Sequence, residues 1–309
     1  MNCCSFFIKS KALFGSYPTQ ESVDELETNG VRYFVDLTCD GERLIESYKT
    51  KYEYIRYPIK DHSVPDNWKS FSKFIITVST IIKRLEGDDK IYIHCKGGHG
   101  RSGIVVACIL CFLYQITAQA SLLLTTTYHG HRKIMREKWR KLGSPQHPKQ
   151  RFFVINFFEP IYFYRAYKIG PYVGFSNASK HPVTTDLGTF PTSEAAFQAY
   201  KDPTNHSYIE KQKTSTGQSS KNLGKTCKLR DDWDDVKIPL MHHVLKLKIE
   251  QHQEIKNNLL NTYLRPLIEH TKTDLFWGDG GDGTGKNHFG KLLSKIRNKL
   301  LLVEDVDTK

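Results

Sequence analysis

Cys95 and Arg101 bracket five residues in Tyr92-Ile93-His94-Cys95-Lys96-Gly97-Gly98-His99-Gly100-Arg101-Ser102-Gly103, a spacing suited to cleaving a phosphate ester. The run Lys90–His94 has the length and β-branched content of a buried strand. Gly103–Tyr114 is an apolar stretch long enough for a core helix, so the loop between them opens that helix. A helix N-terminus holds phosphate through its free N–H groups and dipole, and it favours the thiolate of a cysteine placed there. Cys95 is therefore the candidate nucleophile. Arg101 can grip two phosphate oxygens with its planar fork, which a lysine could not do. Gly97, Gly98 and Gly100 are read as bringing backbone N–H groups close to an anion, with no packing use. Lys96 and His99 add positive charge to the loop, and Ser102 can donate to the sulfur as it departs. A buried inert thiol ahead of a core helix is the plainer alternative, and the glycines argue against it.

A leaving alkoxide or phenoxide also needs a proton. Asp61 and Asp66 lie in the loop Asp61-His62-Ser63-Val64-Pro65-Asp66, which follows the strand predicted over Tyr52–Pro58. Asp61 stands nearest the strand and is preferred; either residue could instead shape a turn.

At these residues the chain resembles the dual-specificity class of cysteine-dependent protein phosphatases, whose signature is His-Cys, five residues, Arg, then Ser or Thr. The resemblance implies an α/β domain with a central, mostly parallel sheet flanked by helices. It implies a phosphocysteine intermediate hydrolysed by water, and a general acid in a loop like that of Asp61. Some lipid-directed relatives keep a second cysteine near the position of Cys39, so the resemblance leaves open a Cys39–Cys95 disulfide against a plain strand-end cysteine. The basic loop would suit a polyanion such as a phosphoinositide or an RNA 5′ end.

Around this motif the sequence predicts a β-α-β start, with a short strand, a turn at Gly15–Pro18, a helix over Glu21–Thr28 and a strand at Tyr33–Leu37. Helices follow over Trp68–Leu85, Ala118–Tyr128 and Ile134–Leu142. The aromatic stretch Arg151–Tyr167 closes a last helix around Pro160, with Phe152, Phe153, Phe157, Phe158, Tyr162 and Phe163 as core. Gly170-Pro171 marks a boundary, giving domains 1–168 and 169–309.

With 309 residues, 39% hydrophobic and 25% charged, the chain has room for two cores. Its seven cysteines (3, 4, 39, 95, 108, 111 and 227) show no metal-ligand or paired spacing, and no metal or organic cofactor is expected. One reactive thiol among free cysteines fits a reducing, intracellular, cytoplasmic setting. The longest apolar run is too short to span a bilayer. Of the net charge of +12, +9 falls in residues 1–168, a field that would steer phosphorylated substrates; nucleic acid remains open as a partner. The basic stretch His131–Lys141 reads as a solvated helix face.

In the second half, Thr192-Ser193-Glu194-Ala195-Ala196-Phe197-Gln198-Ala199-Tyr200-Lys201 begins with a capping residue after Pro191 and continues as a helix, placing Glu194, Gln198 and Lys201 on one face. Gly280–Lys286 spells most of a nucleotide-binding loop, but Asn287 stands where a hydroxyl must ligate magnesium. Its carboxylates also lack the spacing of a calcium hand. Lys211–Lys225, rich in Lys, Ser, Thr and Gln, reads as an exposed polar segment.

From Tyr172 to Leu300 the chain resembles the NADAR domains, which include bacterial N-glycosidases of riboflavin-pathway intermediates. The resemblance rests on Gly174-Phe175-Ser176-Asn177, Pro191–Lys201, Trp233, Lys237, Met241, Thr262, Glu269-His270-Thr271, Asp274 and Trp277–Leu292. It implies a mainly helical α+β domain that hydrolyses the N-glycosidic bond of phosphoribosylamino-pyrimidines, or removes or reads ADP-ribose on nucleobases. Breaking such a bond needs a proton on nitrogen and a stabilised C1 cation, or an opened sugar that a lysine captures as an imine. Glu194 would move the proton and Lys201 would be the amine. Trp233 or Trp277 would stack on the base, and Asp279, Asn287 and the glycine backbone would hold the ribose phosphate. The expected partners are a phosphorylated protein or other phosphoester and a ribosylamine or ADP-ribosylated substrate, and the expected activity is bifunctional hydrolysis. A non-catalytic reader of phosphate and ADP-ribose is the rival class.

Overall fold

The computed structural model describes residues 3–43, 45–164 and 170–303, and the chain divides into two compact units at Glu159/Pro160. The first runs β1 (Cys4–Ile8), β2 (Ala12–Ser16), α1 (Gln20–Thr28), β3 (Val31–Asp36), β4 (Glu53–Arg56), α2 (Trp68–Arg84), β5 (Lys90–Cys95), α3 (Arg101–Tyr114), α4 (Ala118–Gly130), α5 (Glu137–Leu142) and α6 (Pro148–Phe157). Its sheet has the order β1-β2-β5-β3-β4, with β1 antiparallel and the remaining pairs parallel. β5 is the middle strand, and Ile91 to Cys95 are all buried, as expected of a strand covered on both faces. α1 lays Val23 and Leu26 on one face, against Leu13, Phe34 and Tyr92. α3 leaves the head of β5 and packs among α2, α4 and α6, with Ile104 to Leu110 wholly buried.

The second unit runs β6 (Ile161–Phe163), β7 (Val183–Thr185), β8 (Gly188–Phe190), α7 (Ser193–Ala199), α8 (His206–Lys213), α9 (Gly217–Leu223), α10 (Trp233–Gln251), α11 (Gln253–Leu260), β9 (Leu267–Glu269) and α12 (His288–Val303). β6 pairs in parallel with β9, and β7 with β8 as a hairpin. Every residue of α7 is buried, enclosed by α8, α9, α10 and the hairpin. The apolar core joins Phe175, Phe197, Met241, Leu245, Phe289 and Leu293.

Three expectations change. The aromatic stretch is not one helix: α6 ends at Phe157, and Ile161–Phe163 is a strand whose partner is Leu267–Glu269. This pairing puts it in the second unit, ahead of the boundary expected at 168/169, which lies in residues 165–169, outside those described. Phe153, Phe157, Phe158 and Phe163 are core, but Phe152 and Tyr162 are exposed. Lys211–Lys225 is not simply solvated: α8 and α9 meet there through fully buried Gln212 and Ser220, whose side chains bond at 2.6 Å.

Candidate active sites

Cys95 ends β5, and the loop 96–100 turns from it into α3, which Gly100 caps. The turn is pinned from both sides, as Tyr17 donates its N–H to the Lys96 carbonyl at 3.1 Å and Leu37 donates to that of His94 at 3.0 Å. Gly98 has φ +72°, and a Cβ there would stand 2.4 Å from the Gly15 backbone. A Cβ on Gly100 would stand 2.8 Å from the Gln150 amide. These two glycines therefore have a packing reason that the sequence reading denied them.

Cys95 Sγ lies 3.6 Å from Ser102 Oγ, and the Arg101 side chain is buried beside them. Glu42 takes Arg101 Nη1 and Nη2 on its two oxygens, the second at 2.9 Å. Nη1 also donates to the Ile59 carbonyl at 2.9 Å, and Nη2 lies 2.9 Å from Asp61 Oδ1. Nε is buried without a partner among the described residues. Asp66 instead lines a depression with Tyr57, Val64 and Asn67. Glu42, reached from a loop 59 residues away, carried no local signal in the sequence. Cys39 donates its N–H to Glu42 and is, like Cys95, a free thiol.

The basic character expected of the loop is not present at His99. Its ring stacks on Trp139 at 5.0 Å and its Nδ1 is 2.8 Å from His129 Nε2. Burial first, then nearby Arg132, pushes it down to about 4, so it is uncharged at neutral pH. Arg132, expected on a solvated face, is buried with its guanidinium 4.5 Å from the Phe14 ring centre. His94 is wholly buried behind Cys95, 2.7 Å from the Tyr48 hydroxyl, and burial lowers it to about 4.

In the second unit Thr192 caps α7 by accepting the Ala195 N–H at 3.1 Å, which orients Glu194 inward. Glu194 accepts from Asn177 Nδ2 at 3.0 Å and Gln198 Nε2 at 2.7 Å, and Lys221 Nζ stands 3.9 Å away. A carboxylate only accepts, so these bonds turn the amide oxygens of Asn177 and Gln198 away from it. Both oxygens are buried without partners among the described residues, as is Glu269 Oε2. Lys201 lies past the end of α7, where Nζ donates to the Gly224 carbonyl at 3.2 Å and stands 5.5 Å from the Trp233 ring centre. Burial lowers its pKa. Trp233 and Trp277 both pack on Phe197.

Asp279 and Asn287, expected at the ribose phosphate, are hydrogen-bonded within the protein. Asp279 accepts from the backbone N–H groups of Thr271 at 3.0 Å and Gly281 at 2.9 Å, and it pairs with His270 at 2.8 Å. Asn287 accepts the Glu269 N–H at 3.1 Å and donates to the Leu267 carbonyl at 2.8 Å, tying the glycine loop to β9. Asn177, Lys221 and Glu269 were missed as site residues, although Asn177 and Glu269 sit in motifs already singled out.

Among the described residues no cluster has the makings of a metal site, and no helix is long and apolar enough to cross a membrane.

Comparison with known proteins divides the chain in the same way. A family model for the NADAR domain matches residues 162–301, and one for the DSP-PTPase phosphatase of polymorphic toxin systems matches residues 10–115. Protein 067L of Invertebrate iridescent virus 3, which bears a provisional tyrosine phosphatase name, is 42% identical over 160 residues, 51% of this chain and 66% of that one. Protein 197R of Invertebrate iridescent virus 6, similarly named, is 47% identical over 125 residues, 40% of this chain and 47% of that one. The chain thus spans between about half and two thirds of these viral relatives. The N-glycosidase YbiA of Escherichia coli K12 is 39% identical over 133 residues, 42% of this chain and 83% of that one. The solution structure of E. coli YbiA matches with 36% identity and a TM-score of 0.44 over 49% of this chain and 89% of that one. The Cys95 loop and the Glu194 helix each fall inside a matched span: residues 10–115 match a DSP-PTPase phosphatase domain, and the chain belongs to the NADAR family through its second unit.

Proposed function

We propose that the chain is a bifunctional hydrolase, cleaving phosphate monoesters in the first unit and the N-glycosidic bond of phosphoribosylamino-pyrimidines in the second. What carries the reading is hydrogen-bonding capacity left unused at buried points of each site. Arg101 Nε–H has no partner among the described residues, and an oxyanion beside Cys95 would supply one. Asn177 and Gln198 offer acceptors around Glu194 that are unpaired among the described residues, and the hydroxyl and N–H donors of a ribosylamine would satisfy them.

In the first site the Cys95 sulfur attacks phosphorus, the ester P–O bond breaks, and Asp61 protonates the departing oxygen. Water then attacks phosphorus and gives a proton to Asp61, while Ser102 donates to the leaving sulfur. In the second, Lys201 takes up C1 of the sugar as the base departs, with Glu194 moving protons.

Two full-length variants test both readings together. Cys95→Ser should abolish aryl phosphate hydrolysis and leave ribosylamine cleavage intact, and Glu194→Gln should slow ribosylamine cleavage and leave aryl phosphate hydrolysis intact. Phosphatase turnover surviving in C95S would refute the first assignment, and unchanged ribosylamine cleavage in E194Q the second.

A further inference from the structure

Glu269 closes β9 with its backbone fixed on both sides: its N–H donates to Asn287 Oδ1 at 3.1 Å, and its carbonyl accepts the Asp279 N–H at 3.0 Å. Its carboxyl shares the environment of Glu194, because Lys221, 3.9 Å from Glu194 Oε2, is also the cation acting on Glu269. The two carboxyls are nevertheless treated differently. Glu194 receives an amide N–H on each oxygen, whereas Glu269 Oε2 is buried and meets no donor among the described residues. A buried oxygen without a donor suits a carboxylic acid better than a carboxylate. Burial first, then Asp274, Glu194 and Asp279, push Glu269 up to about 8 against the pull of Lys221. Two carboxyls in one site with environments this different are the usual arrangement of an acid and a base.

We propose that Glu269 is the general acid of the second site, giving its proton to the nitrogen that leaves the sugar, while Glu194 acts as the base. The proposal rests on the N-glycosidase reading. As the C1–N bond breaks, the nitrogen takes the Glu269 proton and keeps the bonding pair. The neutral amine of Lys201 forms a new bond to C1 and gives one proton to Glu194, which passes it to the ring oxygen as the sugar opens to the iminium. Water adds at C1, one of its protons restoring Glu269. Its other proton leaves with the Lys201 amine as that C–N bond breaks.

The test compares two substrates in the full-length protein: a 5-phosphoribosylamino-pyrimidine, whose leaving nitrogen needs a proton, and 4-nitrophenyl ribofuranoside 5-phosphate, whose leaving group does not. Glu269→Gln should lower kcat/KM on the first by about 10²- to 10⁴-fold and on the second by less than about tenfold. The fall in wild-type kcat/KM expected as pH rises past about 8 should be absent in E269Q. Glu269→Asp, which keeps an acid, should retain more activity on the pyrimidine substrate than E269Q. Equal losses on both substrates, equal losses in E269D and E269Q, or an unimpaired E269Q would overturn the proposal. A wild-type protein that cleaves no ribosylamine would instead overturn the glycosidase reading, and this proposal with it.

Discussion

Glu42 holds Arg101 by Nη1 and Nη2, and Nε is the guanidinium nitrogen that meets no acceptor among the described residues. The Ile59 carbonyl and Asp61 fix the same group, which leaves its plane little freedom to turn. A lysine, with its single nitrogen, could not keep this hold on Glu42 and still leave a separate N–H donor over.

Removing Glu42 should therefore cost orientation as well as charge. Glu42→Ala should lower kcat/KM for an aryl phosphate by about 10²-fold, the scale of a misplaced reacting group. It should also destabilise the fold by about 3–5 kcal/mol, because a buried guanidinium loses its main partner. Glu42→Gln, which can still accept from one nitrogen, should fall between. Steady-state kinetics and urea titration check both parts; a fully active E42A would show that the carbonyls and Asp61 suffice.

Asp61 stands at Arg101 and Asp66 does not, so the two aspartates should separate in a leaving-group series. Asp61→Ala should slow alkyl phosphates by about 10²-fold or more and barely slow esters of acidic phenols, which leave without a proton. Asp66→Ala should leave both near wild type. A uniform loss across the series in D61A would mean that Asp61 only steadies Arg101.

Acid should loosen the first unit. His94 and His99 are lowered to about 4 and His129 to about 3, in each case mainly by burial. The ordinary histidine value is about 6.5, so the unfolded chain binds more protons than the folded one between there and about 4. Stability then rises with pH across that window and is lost as pH falls from about 6.5 towards 4. Calorimetry of the full chain should show one transition moving down by several degrees between pH 7 and pH 5. A double variant, His99→Gln with His129→Gln, should flatten that slope. A transition insensitive to pH in that range would show that these rings take up protons as readily in the folded chain as in the unfolded one.

What was legible in the sequence was whatever sits close together in it. The strand, loop and helix around Cys95 and Arg101 form one stretch, and the Thr192 cap and Glu194 form another. Glu42 and Glu269 matter because of what the fold brings to them from far along the chain, so their types alone said nothing. His99 looked basic because its neutrality depends on His129, Arg132 and Trp139 closing over it. Asp279 and Asn287 looked free to bind a ligand for the same reason: the backbone groups that occupy them come from the loop after β9 and from β9 itself. Gln212 and Ser220 gave α8 and α9 the look of a solvated segment, since composition does not show that two polar residues satisfy each other in the interior.

Lys201 offers the most direct test of the chemistry proposed for the second unit. Its amine is half-buried and pushed below the ordinary lysine range by burial, which increases the fraction able to attack carbon. If it captures the opened sugar, borohydride added during turnover of a phosphoribosylamino-pyrimidine should reduce the imine and leave a sugar phosphate on one peptide. Mass spectrometry should place that adduct on Lys201 and nowhere else. Lys201→Arg keeps a cation near Trp233 but cannot form an imine, so it should lose both trapping and turnover. Glu194→Gln should slow adduct formation while leaving Lys201 and the fold intact. Turnover without an adduct in the wild type, together with an active K201R, would exclude the imine and leave direct attack of water on the C1 cation. An adduct on another lysine would move the nucleophile away from the end of α7.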